Sequence, residues 1–294
     1  MKTQTRRRPV SLAWAGICIL AMGALLSLSA SQVLAVQPHA SSAGAFAAAR
    51  LAADVAPLDI TPRAYLPVVA RQSFQEYTYQ DDFSNWSSGW PWYNNSTDYG
   101  YKQDGDGSMV YHIRMYDKNA HLFVSGPGRT YGNFDFQAQV REGTTAQPLW
   151  WGDEYGILLS AAPIDPRNPS GGPVYTFQVQ LHAGPGLYPL YSIKKWTNLA
   201  QLQKTLIREQ SAGDWLTNLP KFWNRLRIVR SGNTLDFYIS RQEGSGWKAW
   251  QHVFTYTDSR LPMELYVGFC ANHAEEGAYT IEFQFDNIWM HAYP

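Results

Sequence analysis

Charge is scarce in this chain: Asp, Glu, Lys and Arg together make up 16% of its 294 residues. Cysteine is scarcer, with Cys18 and Cys270 the only two. Cys18 falls in a stretch expected to be removed, which leaves Cys270 alone and without an intrachain disulfide. The fold is therefore expected to hold through its core rather than through staples, with Cys270 as a small buried residue of an apolar strand. Formal charge sums to zero. Residues 1–35, however, carry Lys2, Arg6, Arg7 and Arg8 and no acid, so the remainder holds 20 basic groups against 24 acidic ones. That balance lacks the basic surface needed to bind a phosphate backbone, which argues against a nucleic-acid partner. The seven histidines lack zinc-like spacing. There is no Gly-x-Ser-x-Gly motif, no phosphate loop, no internal repeat, and no amphipathic helix beyond a turn near 214–219.

What the chain does have begins with a leader. Residues 2–9 are basic, residues 10–28 are almost wholly apolar, and Val33-Leu34-Ala35 places small side chains where a signal peptidase wants them. Residues 1–35 thus read as a signal peptide cleaved after Ala35, and the mature chain as secreted, extracellular or in the cell envelope. An uncleaved membrane anchor is the alternative, since the apolar stretch is near the ~18 residues that span a bilayer. Residues 36–75 read as an Ala/Pro-rich linker.

Residues 76–294 read as one all-β domain. Aromatics reach 15%, with 23 Gly and 17 Pro, a composition that suits strands and turns. Apolar residues alternate at Phe134-Phe136-Ala138-Val140, Tyr175-Phe177-Val179-Leu181, Leu235-Phe237-Ile239, Leu265-Val267-Phe269-Ala271 and Tyr279-Ile281-Phe283-Phe285. Period two with one apolar face is the pattern of antiparallel sheets packed on one side. Turn signals separate the runs at 104–107, 125–128, 184–186, 231–233 and 244–246. The expectation is a sandwich or jelly roll of two antiparallel sheets.

Five short motifs resemble the concanavalin A-like lectin/glucanase superfamily, in order and spacing. They are Asp81-Asp82-Phe83-Ser84, Gly132-Asn133-Phe134-Asp135-Phe136, Tyr155-Gly156-Ile157-Leu158-Leu159, Asn224-Arg225-Leu226-Arg227-Ile228 and Phe285-Asp286-Asn287-Ile288. The group includes laminin G-like modules, family-16 glucanases and 3-keto-disaccharide hydrolase-like domains. The resemblance implies a two-sheet jelly roll whose concave face often binds glycans, with the first motif lying beside the last. It also implies a structural calcium held partly by Asp286, although calcium wants six or more oxygens and one side chain does not supply them.

A retaining glycosidase needs two carboxyl groups about 5 Å apart, which on a strand means acids at i and i+2. By the same resemblance Glu154 stands at the nucleophile position, but Gly156 replaces the assisting acid, and Leu158 and Leu159 occupy both acid/base positions. Hydrolysis of that kind is not expected. A sugar ring packs its C–H face on an exposed aromatic beside hydrogen-bonding groups. Trp92, Tyr93, Trp150 and Trp151 lie in loop-like stretches, and Trp196 ends a strand. The expected glycan site is Trp150, Trp151, Glu154, Gln178 and Trp196, with the strand residue Gln178 equally readable as an ordinary outward side chain. Three function classes stay open: a non-catalytic carbohydrate-binding or adhesive module with a glycan or cell-surface polysaccharide as partner, a structural or protein-binding envelope domain, and a divergent glycoside-processing enzyme.

Overall fold

A computed structural model describes residues 76–93, 99–116, 120–143, 153–180, 189–217, 222–273 and 280–293. The expected leader and linker at 1–75 lie outside the described residues. The strands are β1 (Tyr77–Asp81), β2 (Tyr99–Gln103), β3 (Met109–Met115), β4 (Ala120–Tyr131), β5 (Asn133–Glu142), β6 (Glu154–Ser160), β7 (Val174–Gln180) and β8 (Leu190–Asn198). They continue with β9 (Gln203–Ser211), β10 (Asn224–Ser231), β11 (Thr234–Glu243), β12 (Gly246–Trp247), β13 (Gln251–Thr257), β14 (Glu264–His273) and β15 (Ile281–Tyr293). A single 3-10 turn at Gly213–Trp215 is the only helical element among the described residues. It falls where the sequence pointed to a turn.

The strands form two antiparallel sheets, which is the expected jelly-roll sandwich. Sheet I has nine strands, with β12-β11-β10-β5-β15-β3-β2 in order, β1 beside β15 and β13 beside β11. Sheet II has six, in the order β4-β14-β6-β7-β8-β9. The alternating apolar positions of the two sheets meet in one core, where rings bridge the layers: Phe269 stacks on Phe285 at 4.1 Å, Tyr155 on Phe283 at 4.8 Å, and Phe177 meets Phe237 edge-on at 5.1 Å. Each such side chain contributes about 1.5–3 kcal/mol by leaving water. Cys270 is fully buried, as expected.

The first and last motifs do lie together: β1 pairs antiparallel with β15, Asp81 opposite Ile288. The chain then leaves β1 through Phe83, buried at a φ of 55°. This is a costly conformation for a bulky residue. The Asp81 carboxylate holds it by accepting from the Phe83 amide at 2.8 Å, and the ring packs against Trp90 and Tyr111.

One expected turn is not a turn. Ser125-Gly126-Pro127-Gly128 lies inside β4, where the pairing with β14 shifts register between Tyr266 and Gly268. β4 is the end strand of sheet II, and an end strand with a bulge tolerates proline's missing N–H. Gly126 serves close approach: a Cβ there would sit 2.5 Å from the Trp90 ring, which itself stacks on Phe269 at 4.6 Å.

Candidate functional site

Sheet II turns Tyr155, Ile157 and Leu159 of β6 into the main core, and the alternate residues outward. On that outer face Leu158 joins Phe123, Ile164, Val174, Trp196 and Cys270 in a second, smaller cluster. The structure places three of the expected site residues, Glu154, Gln178 and Trp196, on this face. All three are buried. Trp196, 1% exposed, packs edge-on against Phe123 and His121 and donates from Nε1 to Thr176 Oγ1 at 3.1 Å; that hydroxyl donates in turn to Gln178 Oε1 at 3.1 Å. Glu154 is ion-paired with the equally buried Lys194 and accepts from Ser192 Oγ and Asn272 Nδ2, each at 3.2 Å. Trp150 and Trp151 lie outside the described residues.

Glu154 therefore sits in a closed polar network. Along β6 its outward neighbours are Gly156 and Leu158, and across the sheet Asn272 and Gln180, so no adjacent position carries a second carboxylate. A side chain at 156 has no room: its Cβ would lie 2.1 Å from the Phe177 carbonyl oxygen. His121 borders the network. Burial, with the charges of Lys204 and Lys194 and against that of Glu154, lowers it to about 4, so it is neutral at pH 7.

Asp286 lies on sheet I, away from that face. Both its oxygens accept from Asn287, from the amide at 2.7 Å and from Nδ2 at 2.8 Å. Burial raises its carboxyl to about 7; the charges of Asp82 and Asp106 push the same way, against the Asn287 amide and Arg141. Among the described residues no three His, Cys, Asp or Glu side chains converge as a metal site. Any cation here would draw on carbonyl oxygens as well as on Asp286.

A concave surface with an exposed indole in its wall lies elsewhere. Residues 91–93 run alongside β2, pinned by the Tyr93 amide donating to the Tyr99 carbonyl at 3.3 Å and by Tyr111 Oη donating to the Pro91 carbonyl at 2.6 Å. Gly100 clears the way for Trp92, since a Cβ there would approach the Trp92 Cβ to 3.2 Å. Opposite stands the turn Asp165-Pro166-Arg167, anchored where the Ile164 amide donates to Ser125 Oγ at 2.7 Å. Between them lie two cavities of about 320 and 310 Å³ that share Tyr93, Tyr99, Pro166 and Arg167 in their walls. They form one trough. Trp92, 60% exposed, and Asp165 line the first compartment; Arg114, Tyr116 and His121 line the second. The sequence marked Trp92 and Tyr93 only as aromatics in a loop-like stretch. Nothing in it pointed to Arg167, whose place across the trough depends on the turn's anchoring to β4.

The two facing antiparallel sheets make a jelly-roll sandwich. No family model matches the chain, and no curated protein matches it. Among solved structures it is similar to a GH43 protein from Bacillus licheniformis, at 16% identity over 73% of this chain and 39% of that one, with a TM-score of 0.49. It is similar to peanut lectin at 8% identity over 74% of this chain and 97% of that one, TM-score 0.48. It is also similar to lectin I from Ulex europaeus, solved with the methyl glycoside of α-L-fucose, at 11% identity over 74% and 97%, TM-score 0.46. The chain spans well under half the length of the GH43 protein. The likeness is one of fold.

Proposed function

We propose that the mature chain is a secreted, non-catalytic module that binds a glycan or cell-surface polysaccharide. The observation that carries this reading is the trough, in which an exposed indole and three tyrosines stand beside Arg167 and Asp165. Apolar walls with a few placed polar groups are what a saccharide site requires. The non-catalytic part is supported by Glu154, whose charge is matched by Lys194 and whose neighbours offer no partner acid. Trp150 and Trp151, outside the described residues, stay the aromatic pair that the sequence proposes for sugar contact. Secretion is supported by the leader; sequencing of exported material should read from Val36.

Binding to a panel of soluble polysaccharides, followed by affinity electrophoresis, tests the reading. Trp92→Ala, and separately Trp150→Ala or Trp151→Ala, should each weaken binding by about 1 kcal/mol or more while the thermal melt stays in place. Release of sugar product by the wild type would overturn the non-catalytic assignment. Absence of binding across the panel would favour a structural or protein-binding envelope domain, a second reading that has one observation behind it: the outer face of sheet II is filled by its own side chains.

A further inference from the structure

The two compartments of the trough differ in charge, and that difference bears on what occupies them. The first compartment has Asp165 and Arg167 in its wall, one charge of each sign. The second has Arg114 and Arg167 and no carboxylate. His121, also in that wall, is neutral because burial and the nearby Lys204 and Lys194 hold its pKa low. Arg114 is paired with Glu282 at 2.8 Å, but Glu282 also takes Lys102 at 2.7 Å, so one carboxylate serves two cations. Arg167 is held more loosely: its side chain is 68% exposed, and its ion pair with Asp165, Nε to Oδ1 at 3.7 Å, is longer than a hydrogen bond. Asp165 is instead occupied in shaping the turn, accepting from the Arg167 amide at 3.0 Å.

We infer that the trough takes an acidic oligosaccharide of at least two rings, with a neutral face against Trp92 in the first compartment and a uronate carboxylate in the second, met by Arg167. This rests on the glycan-binding reading and adds ligand size and charge to it. Size follows from the shared wall: each compartment is near the lower end of the roughly 300–1,000 Å³ of small-molecule sites, and together they make an elongated seat. Charge follows from the guanidinium, whose planar fork matches a carboxylate with two parallel hydrogen bonds. Tyr93, whose ring lies 6.1 Å from that of the buried Tyr99 at the boundary, would flank the linkage between the two sugars.

The test uses the chain without its leader and measures calorimetric binding of galacturonate, mannuronate and glucuronate-containing oligomers of one to four rings. The same oligomers with their carboxyls reduced to alcohols serve as neutral counterparts. Dimers or longer uronates should bind at least about ten-fold more tightly than monomers and than the reduced forms, and the preference should shrink when salt is raised from about 50 to 500 mM. Arg167→Gln should cost about five-fold or more on uronates and clearly less on the reduced oligomers, whereas Trp92→Ala should weaken both alike. Equal binding of acidic and reduced oligomers, both sensitive to Trp92→Ala, would overturn the acidic assignment and leave the glycan reading standing. Uronate binding indifferent to Arg167→Gln and Trp92→Ala would place the site elsewhere and overturn the inference. No binding of either set, by a protein that also binds no polysaccharide, would remove the glycan reading itself.

Discussion

Glu154 shows how far a single residue's role depends on partners distant in sequence. On its own strand it is an acid with Gly156 and Leu158 where a catalytic partner should stand, and that much was legible. Its counter-ion, Lys194, is forty positions away and arrives only because β6, β7 and β8 lie side by side in register. Breaking a buried pair from one side leaves an uncompensated charge, so Glu154→Gln should cost about 3–5 kcal/mol in a urea melt. Adding Lys194→Met to Glu154→Gln should recover most of it, since apolar replacements of a buried pair are often neutral. A single variant as stable as the wild type would mean that the pair is solvated and the face open. Trp196 is the companion case. Its place near a strand end suggested an exposed platform, but the small cluster on the outer face of sheet II buries it, and no local pattern announces a second apolar layer made from Phe123, Ile164 and Leu199.

At the scale of elements, the strands with clean alternation were legible because one face of each meets the core. The misread one was β4, where glycine and proline signal a turn by composition yet serve a bulged end strand and the approach of Trp90. β9 gave no pattern at all, since every residue of it but Ile207 is exposed at the edge of sheet II. On sheet I, β10, β11, β12 and the segment leading into β13 are fastened across their outer face by guanidinium–indole stacking: the Arg225 guanidinium lies 4.2 Å from the Trp247 ring and 4.5 Å from the Trp250 ring. β15 is tied to β2 and β3 by Glu282. Burial works against its charge, but hydrogen bonds from Lys102, Arg114 and Gln284, with His112 Nδ1 3.8 Å away, prevail and hold the carboxyl well below the usual range. A depressed carboxylate contributes stability that is present above its unfolded pKa of about 4.3 and is lost as pH falls below it. Glu282→Gln should therefore lower stability by about 2 kcal/mol at pH 7, discounted because Lys102 and Arg114 remain about a third exposed. The gap between variant and wild type should narrow steadily from pH 5 to about pH 2.5. A gap that does not change with pH would show that the loss is one of packing.

For the whole molecule the question is what secures the meeting of its two ends. Asp82 follows β1, Asp106 lies in the turn between β2 and β3, and Asp286 lies in β15. Burial, with the charges of the first two pushing the same way, raises the carboxyl of the third to about 7. A carboxyl raised in the folded state contributes stability that is full below its unfolded pKa and is lost as pH rises from about 4 to about 7. At pH 8, then, the ionised Asp286 is a liability unless a cation offsets it. The calcium that the sequence resemblance implies would do so, with Asp286 as a side-chain ligand and carbonyl oxygens supplying the rest. At a hundred times its Kd such an ion adds about 2.7 kcal/mol by mass action, a rise in Tm of roughly 5–10 °C for a domain of this size. Two variables separate the ion from the bare carboxylate in thermal melts at pH 8. With calcium the wild type should melt above Asp286→Asn. With EGTA the order should vanish or reverse, because the amide is free of the charge that burial penalises. If calcium leaves the wild-type melt where EGTA leaves it, and Asp286→Asn is the more stable protein in both, then no ion is bound and the junction of β1 with β15 rests on its strand pairing, on the buried Phe83 and on side-chain contacts such as those of His291 with Thr78 and Glu76.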